Sequence, residues 1–359
     1  MKPRARVVAL VVVGLALVLG GFVLSTLHAA GAFSTLAPHG FERCARIEGF
    51  TGSEDAVFDA ASGLVFFSSQ DFRSVQAGAP SPGALFWWAP SGGPLTTLPH
   101  DLPGAFHPHG LGLLRLADGA RRLFVVNHPT PTSSQVEAFD VIDGPALKHV
   151  RTFTAPEFIS LNDVAPVGPE QFYVTLDAGT RADSLGRAAE TFLRLPWAGL
   201  LWFDGGKATV AASGLRYANG VAVSNDGATV YVSETTGRRL LAYARDAASG
   251  ALTLRVEHAA GSGLDNISVA PDGSLWVAAH PKMLEFLGHA KDPAHHSPSQ
   301  VLRVRHDVAA DRLEVVEVAL DDGATLSGSS VALPLPSGQV VVGAVFERHA
   351  LRCAFDAAL

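Results

Sequence analysis

The fold class this sequence predicts is all-β, a six-bladed propeller closed around a tunnel, and three observations predict it. Polar residues open an apolar strand at six places, near Glu54, His109, Asn162, Asn219, Asp265 and Ser327, at intervals of 46 to 62 residues. Each opening leads through a turn into a second strand rich in aromatic and β-branched residues, the composition that suits a pleated, half-buried surface. The chain holds 36 Gly and 22 Pro with only 17% charged residues, the balance of a turn-rich β protein. A repeat period near 50 points to a propeller over a solenoid, and six blades of about four strands fit 359 residues.

At the amino terminus Lys2, Arg4 and Arg6 precede an apolar run from Val7 to Leu27. This pattern marks an export signal, and its length approaches the ~20 residues that span a bilayer. Residues 1–32 therefore read as an anchor, or as a signal peptide cleaved after Ala32 behind Ala30-Gly31-Ala32. With the basic flank inside, the remainder faces the exported side, as a periplasmic or extracellular domain, secreted if the leader is removed. That domain is expected over residues 40–359. Cys44 and Cys353 are the only cysteines. In an exported chain they read as one disulfide tying the ends of the ring together; the other reading is two buried thiols.

The second strands of the repeats are Leu64–Phe67, Leu123–Val126, Phe172–Val174, Val230–Val232, Leu275–Val277 and Val340–Val342. Turn residues precede them at Ser62-Gly63, Asp118-Gly119, Gly168-Pro169, Asp226-Gly227, Asp272-Gly273 and Ser337-Gly338. Runs at Gly83–Trp88, Gln135–Phe139, Arg239–Tyr243 and Gln300–Val304 supply outer strands. One stretch departs from the plan: Ala182 to Phe203 reads as an amphipathic helix up to Pro196, followed by a return to strand. It either packs on the blades or forms an apolar, membrane-facing lip at the tunnel mouth. The segment Glu285 to Ser299 reads as an irregular loop with His289, His295 and His296 in solvent.

A net charge of −7 leaves no basic footprint for nucleic acid. No Gly-x-Ser-x-Gly elbow supports a serine esterase. The six openings meet at one end of a tunnel only if the strands converge around an axis. There Glu54 and Asp265 bring carboxylates, and Asn162, Asn219 and Asn266 bring amide oxygens. An all-oxygen set without Cys suits a hard cation such as Ca2+. Asp55 and Asp163 follow two of these residues and, on an alternating strand, point away from the first ion, which suggests a second, deeper one. Ser327 to Ser330 offer only hydroxyls. His109 and His128 end neighbouring strands of one repeat, so that His109 can act as a base oriented by His128. His280 lines the pocket.

These residues resemble the paraoxonases, a family of calcium-dependent arylesterases and lactonases. The resemblance runs through Cys44, Gly52-Ser53-Glu54-Asp55, Pro108-His109-Gly110, Val125-Val126-Asn127-His128-Pro129, Asn162-Asp163, Ala218-Asn219-Gly220, Asp265-Asn266-Ile267-Ser268-Val269, His280-Pro281 and Cys353. It implies a six-bladed propeller with two calcium ions. The catalytic ion falls on Glu54, Asn162, Asn219, Asp265 and Asn266, and the structural ion on Asp55, Asp163 and the carbonyl of Leu111. It implies a His109–His128 dyad, with Asp265 as the other candidate base, and a Cys44–Cys353 disulfide. Tyr217 stands where the family has an aromatic pocket wall. The activity expected is calcium-dependent hydrolysis of carboxylic esters, opening apolar lactones and cleaving aryl esters. The alternatives are a sugar lactonase of gluconolactonase type and a non-catalytic propeller that binds partners.

Overall fold

The computed structural model describes residues 3–355 apart from 80 and 143. The alternating runs form six antiparallel four-stranded sheets. The first strand of each is innermost: Ser53–Asp59, Pro108–Arg115, Leu161–Gly168, Ala218–Val223, Gly263–Val269 and Ser329–Pro334 define blades 1 to 6. Each packs against the inner strands of both neighbouring blades, the sixth against the first. The ring is therefore closed, as a propeller requires. Between blades the contact is apolar and aromatic. Phe172 and Phe203 stack at 4.9 Å on one face of the third blade, and Phe172 meets Phe153 of the second blade edge-on at 5.3 Å. On the other side of the same sheet Tyr173 packs on Trp202 at 4.7 Å.

The sixth blade is closed by the other end of the chain. Cys44–Glu48 pairs with His349–Cys353 as its outermost strand, with Cys44 directly opposite Cys353. A disulfide joins them at a Cα–Cα distance of 4.1 Å across 309 residues of sequence. A loop this long loses substantial entropy when it is closed in the unfolded chain. Replacing both cysteines by Ser is expected to lower the unfolding free energy by about 2–5 kcal/mol, read by denaturant titration of the oxidised and variant proteins.

Every inner strand carries a register shift at its opening: between Ser53 and Ala56, Pro108 and Leu111, Leu161 and Val164, Ala218 and Val221, Leu264 and Ile267, and Ser329 and Val331. A bulge adds residues to one strand and breaks strict alternation, re-aiming the side chains it carries. Residues 54–55, 109–110, 162–163, 219–220 and 265–266 all lie inside these shifts. The simple rule that neighbours point in opposite directions therefore does not govern them.

Among the described residues, four α-helices decorate the ring. Helix α1 (Pro3–Ala29) stands out from it with its apolar side chains exposed, and its Leu10–Ala29 portion is long and apolar enough to cross a membrane. Helix α2 (Phe72–Gln76), not expected from sequence, is capped by Asp71, whose Oδ1 accepts the Ser74 N–H at 3.0 Å. Helix α3 (Leu185–Leu193) lies within the departing stretch, and the chain returns to strand at Ala198–Phe203, as its pattern predicts. Helix α4 (Met283–Lys291) corrects the reading of Glu285–Ser299 as irregular. Its inner face is Phe286, His289 and Ala290, the i, i+3, i+4 spacing of an amphipathic helix. A histidine in that stripe hid the signal. His289 is buried rather than solvated, with Nδ1 2.8 Å from the His295 carbonyl and Nε2 3.3 Å from Glu347.

Candidate active site

The six openings converge at one end of the ring. Glu54, Asn162, Asn219, Asp265 and Asn266 are all buried there. The Asn266 amide donates to Glu54 Oε1 at 3.0 Å and to the Glu54 carbonyl at 3.1 Å, and the Asn219 amide donates to Thr235 Oγ1 at 3.1 Å. The orientation these bonds impose leaves acceptors without donors. Glu54 Oε2, Asn162 Oδ1, Asn219 Oδ1 and Asn266 Oδ1 are buried and have no hydrogen-bond partner. Leaving a buried acceptor unsatisfied costs about 1–3 kcal/mol, more for a charged group. Four such oxygens on neighbouring openings match what a hard cation requires. Among the described residues no three His, Cys, Asp or Glu side chains form a metal cluster, because most of these donors are amides. Ser330 donates its hydroxyl to the Glu54 carbonyl at 2.6 Å, so the sixth opening braces a neighbour.

Two glycines let the openings approach so closely. A Cβ on Gly110 would lie 2.5 Å from Asp163 Cα, and one on Gly220 would lie 2.8 Å from Asn266 Cα. Both neighbours are backbone atoms and cannot swing away. Gly110→Ala is expected to destabilise the protein by roughly 3 kcal/mol, read by thermal melting.

A chain of side chains runs away from the ring. His109 Nε2 faces Glu54 Oε1 at 3.4 Å, and its Nδ1 lies 3.0 Å from His128 Nε2. His128 Nδ1 lies 3.1 Å from Ser134 Oγ, which also accepts the Leu161 N–H at 3.3 Å. Burial opposes charge on His109, but nearby Glu54 outweighs it and raises the imidazole above its ordinary value. His128 is pushed down to about 3 by burial and by His109, so it stays neutral. Phe72 of α2 packs on His109 at 5.4 Å between ring centres. Ser134 was not identifiable from sequence, since its meeting with His128 depends on the register of an outer hairpin.

Asp265 has a partner of its own. His280 Nε2 lies 2.8 Å from Asp265 Oδ2, and Phe286 of α4 covers the His280 ring at 3.9 Å. Burial raises the Asp265 carboxyl while the His280 bond works against it. The histidine expected to line the pocket thus holds a ring carboxylate in place.

Beside the ring, Asp55 Oδ2 accepts the Leu111 N–H at 2.7 Å, and Asp163 Oδ2 accepts the Val221 N–H at 2.8 Å. Each carboxylate thereby ties its blade to the next. Burial raises both carboxyls well above the ordinary range, and Asp163 and Glu54 push Asp55 up further. Two buried carboxylates that repel one another call for a compensating charge.

Tyr217 adopts φ 56°, a left-handed conformation that costs a non-glycine residue energy, two residues before Asn219. Burial raises its phenol, with Asp177 adding to the effect, so the hydroxyl remains a donor. Asp177 is held by the Arg187 guanidinium of α3 at 3.1 Å. Neither Asp177 nor Arg187 was singled out in the sequence, because the pair forms only once α3 folds over the ring.

The Arylesterase family model matches residues 100–355. The mouse serum paraoxonase/arylesterase 1 is 33% identical over 97% of this chain and 99% of its own length. The rabbit serum paraoxonase/lactonase 3 is 30% identical over 96% of this chain and 98% of its own. Among solved structures, a gluconolactonase from Xanthomonas campestris superposes with a TM-score of 0.56 at 15% identity, over 90% of this chain and 96% of that one, a likeness of fold. From the extent of the family match and the full-length likeness to these relatives, the chain belongs to the arylesterase family.

Proposed function

We propose that this protein is a calcium-dependent carboxylic ester hydrolase that opens apolar lactones and cleaves aryl esters. The observation that carries the reading is the set of four buried, partnerless oxygens on Glu54, Asn162, Asn219 and Asn266 beside the His109–His128 pair. Glu54, Asn162, Asn219, Asp265 and Asn266 would hold a catalytic calcium. Asp55 and Asp163, with the Leu111 carbonyl, would hold a structural one. When bound, calcium supplies Lewis-acid polarisation of the ester carbonyl and a positive charge for the oxyanion.

The remaining work falls to the chain's own side chains. If His109 Nδ1–H donates to His128 Nε2, then His128 Nδ1–H donates to Ser134 Oγ, and His109 Nε2 is left as an acceptor facing the ring. Water placed there gives its proton to His109 Nε2 or to the Asp265 carboxylate as its oxygen attacks the acyl carbon. The C–O bond to the leaving group then breaks, and that oxygen takes the proton back. A lactone yields one hydroxy acid, and an aryl ester yields an acid and a phenol. His280 orients Asp265 and Ser134 orients His128. Phe72 and Tyr217 form apolar walls that favour apolar acyl groups.

The relatives described as serum enzymes, the disulfide and α1 together support an exported protein, and we assign α1 as its membrane anchor. Ala30 at its end accepts the Met283 N–H at 2.9 Å, on the face that carries the openings. That face also exposes Leu185, Phe192 and Trp197 around α3 and Leu284 and Leu287 on α4, as a membrane-facing lip would.

The test is hydrolysis of a panel of aliphatic lactones, sugar lactones and aryl esters by the full chain in detergent, with calcium and after chelation. Turnover of apolar lactones that chelation abolishes is the expected result. Folded, calcium-loaded protein that turns over nothing in the panel would overturn the reading, and preference for sugar lactones would overturn the substrate class.

A further inference from the structure

Where α1 meets the ring, three arginines crowd together without a carboxylate of their own. Arg238 donates Nη1 to the carbonyls of His28 and Ala29 at 3.1 and 2.5 Å, capping the end of α1, while its Nε is buried without a partner. Arg194, which ends α3, donates Nη2 to the Thr236 carbonyl at 2.9 Å. Arg216 donates Nε to the Arg194 carbonyl at 3.1 Å. All of these bonds go to backbone oxygens. Among the described residues, none of the three guanidiniums forms an ion pair with Asp or Glu.

The surrounding carboxylates are engaged elsewhere. Glu234 is gripped by the Arg239 fork at 2.5 and 2.9 Å and by the Arg216 N–H at 2.8 Å. Glu190 takes the Gly179 N–H at 2.7 Å and the Thr180 hydroxyl at 2.5 Å. Asp177 is paired with Arg187, and Glu257 with Arg239. Burial and then the neighbouring Arg216 lower the Arg194 guanidinium, and burial and then Arg194 lower that of Arg238. The cluster is thus a partly desolvated, self-repelling concentration of positive charge.

Its place identifies what would satisfy it. Arg238 bonds to the end of the apolar Leu10–Ala29 span, Arg194 and Arg216 adjoin it, and exposed Phe192, Leu193 and Trp197 flank Arg194. Apolar tips with guanidiniums behind them match the acyl chains and phosphates of a lipid leaflet.

We propose that Arg194, Arg216 and Arg238 form a binding site for the phosphodiester headgroup of an anionic membrane lipid. The terminal nitrogens of Arg216 supply donors, and Arg is suited to forked binding of phosphate oxygens. This rests on α1 being a membrane anchor. A bound headgroup would hold the mouth of the tunnel against the leaflet from which an apolar substrate arrives.

The full chain is reconstituted into nanodiscs of equal parts phosphatidylcholine and phosphatidylglycerol, and the lipids retained on mild detergent extraction are counted by native mass spectrometry. Each juxtamembrane arginine strengthens anionic-lipid binding about fivefold, so phosphatidylglycerol should be retained roughly tenfold or more over phosphatidylcholine. Arg194→Gln with Arg216→Gln should still co-elute with the discs and lose most of that preference. Arg194→Lys with Arg216→Lys, which keeps the charge, should retain a substantial part of it. A wild-type chain that does not enter the discs overturns the anchor, and the headgroup site with it. Entry without lipid preference overturns the headgroup site alone. So does a preference that survives the Gln pair, which would then belong to other charges of the chain. Displacement of the lipid by millimolar inorganic phosphate alone would make this a free-phosphate site and overturn the lipid assignment.

Discussion

Asp265→Asn is expected to lower lactone and aryl-ester turnover by about a thousandfold or more while the propeller stays folded. The substitution keeps an amide oxygen in the ring but removes the negative charge and the basic oxygen. Asp265 also carries a histidine of its own, His280 at 2.8 Å. Losing it removes a candidate base and part of the cation's charge balance together. His280→Ala should cost less, about 10–100-fold, since Asp265 keeps its charge and loses only its orientation. His109→Ala separates the two candidate bases: a loss as large as that of Asp265→Asn assigns proton abstraction to His109, and a loss of tenfold or less assigns it to Asp265. Near-normal turnover by Asp265→Asn protein that still binds calcium would remove Asp265 from the mechanism.

Chelation is expected to stop turnover and to loosen the fold in the same sample. The oxygens of the ring and the Asp55–Asp163 pair are poorly satisfied by the protein alone: four acceptors have no donor, and burial pushes both carboxyls of the pair up. A cation that binds only the folded state adds RT ln(1 + [L]/Kd), about 4 kcal/mol at a thousandfold excess over Kd. The melting temperature should therefore fall when EGTA replaces calcium and recover on its return. Magnesium should restore little, because it demands small octahedral shells and gives up water reluctantly. An unchanged melting curve in EGTA would show that these oxygens are satisfied some other way, and the metal-centred reading would fall.

The repeat was legible because a blade is built from local signals. The strands at Leu64–Ser69, Val340–Ala344 and their counterparts announce themselves by β-branched and aromatic residues between glycine turns. Cys44 and Cys353 could be paired because only two cysteines exist. The ring of Glu54, Asn162, Asn219, Asp265 and Asn266 could be proposed because each stands at the same point of its repeat. Helix α4 was missed for an equally local reason: nine residues with His289 in the inner stripe look polar until Glu347 and Arg73 are seen to receive that histidine.

The sequence by itself determined the period, the polar openings and the apolar leader, all of which depend on the order of residues along one strand or helix. Only the tertiary structure decided which way the openings point, because a bulge in each inner strand cancels the alternation on which sequence reasoning relies. It alone brought His280 to Asp265, Ser134 to His128 and Arg238 to the end of α1, 209 residues away in sequence from Ala29. These contacts join different strands of one blade, or a blade to α1, at distances fixed by hairpin register and by where α1 meets the ring.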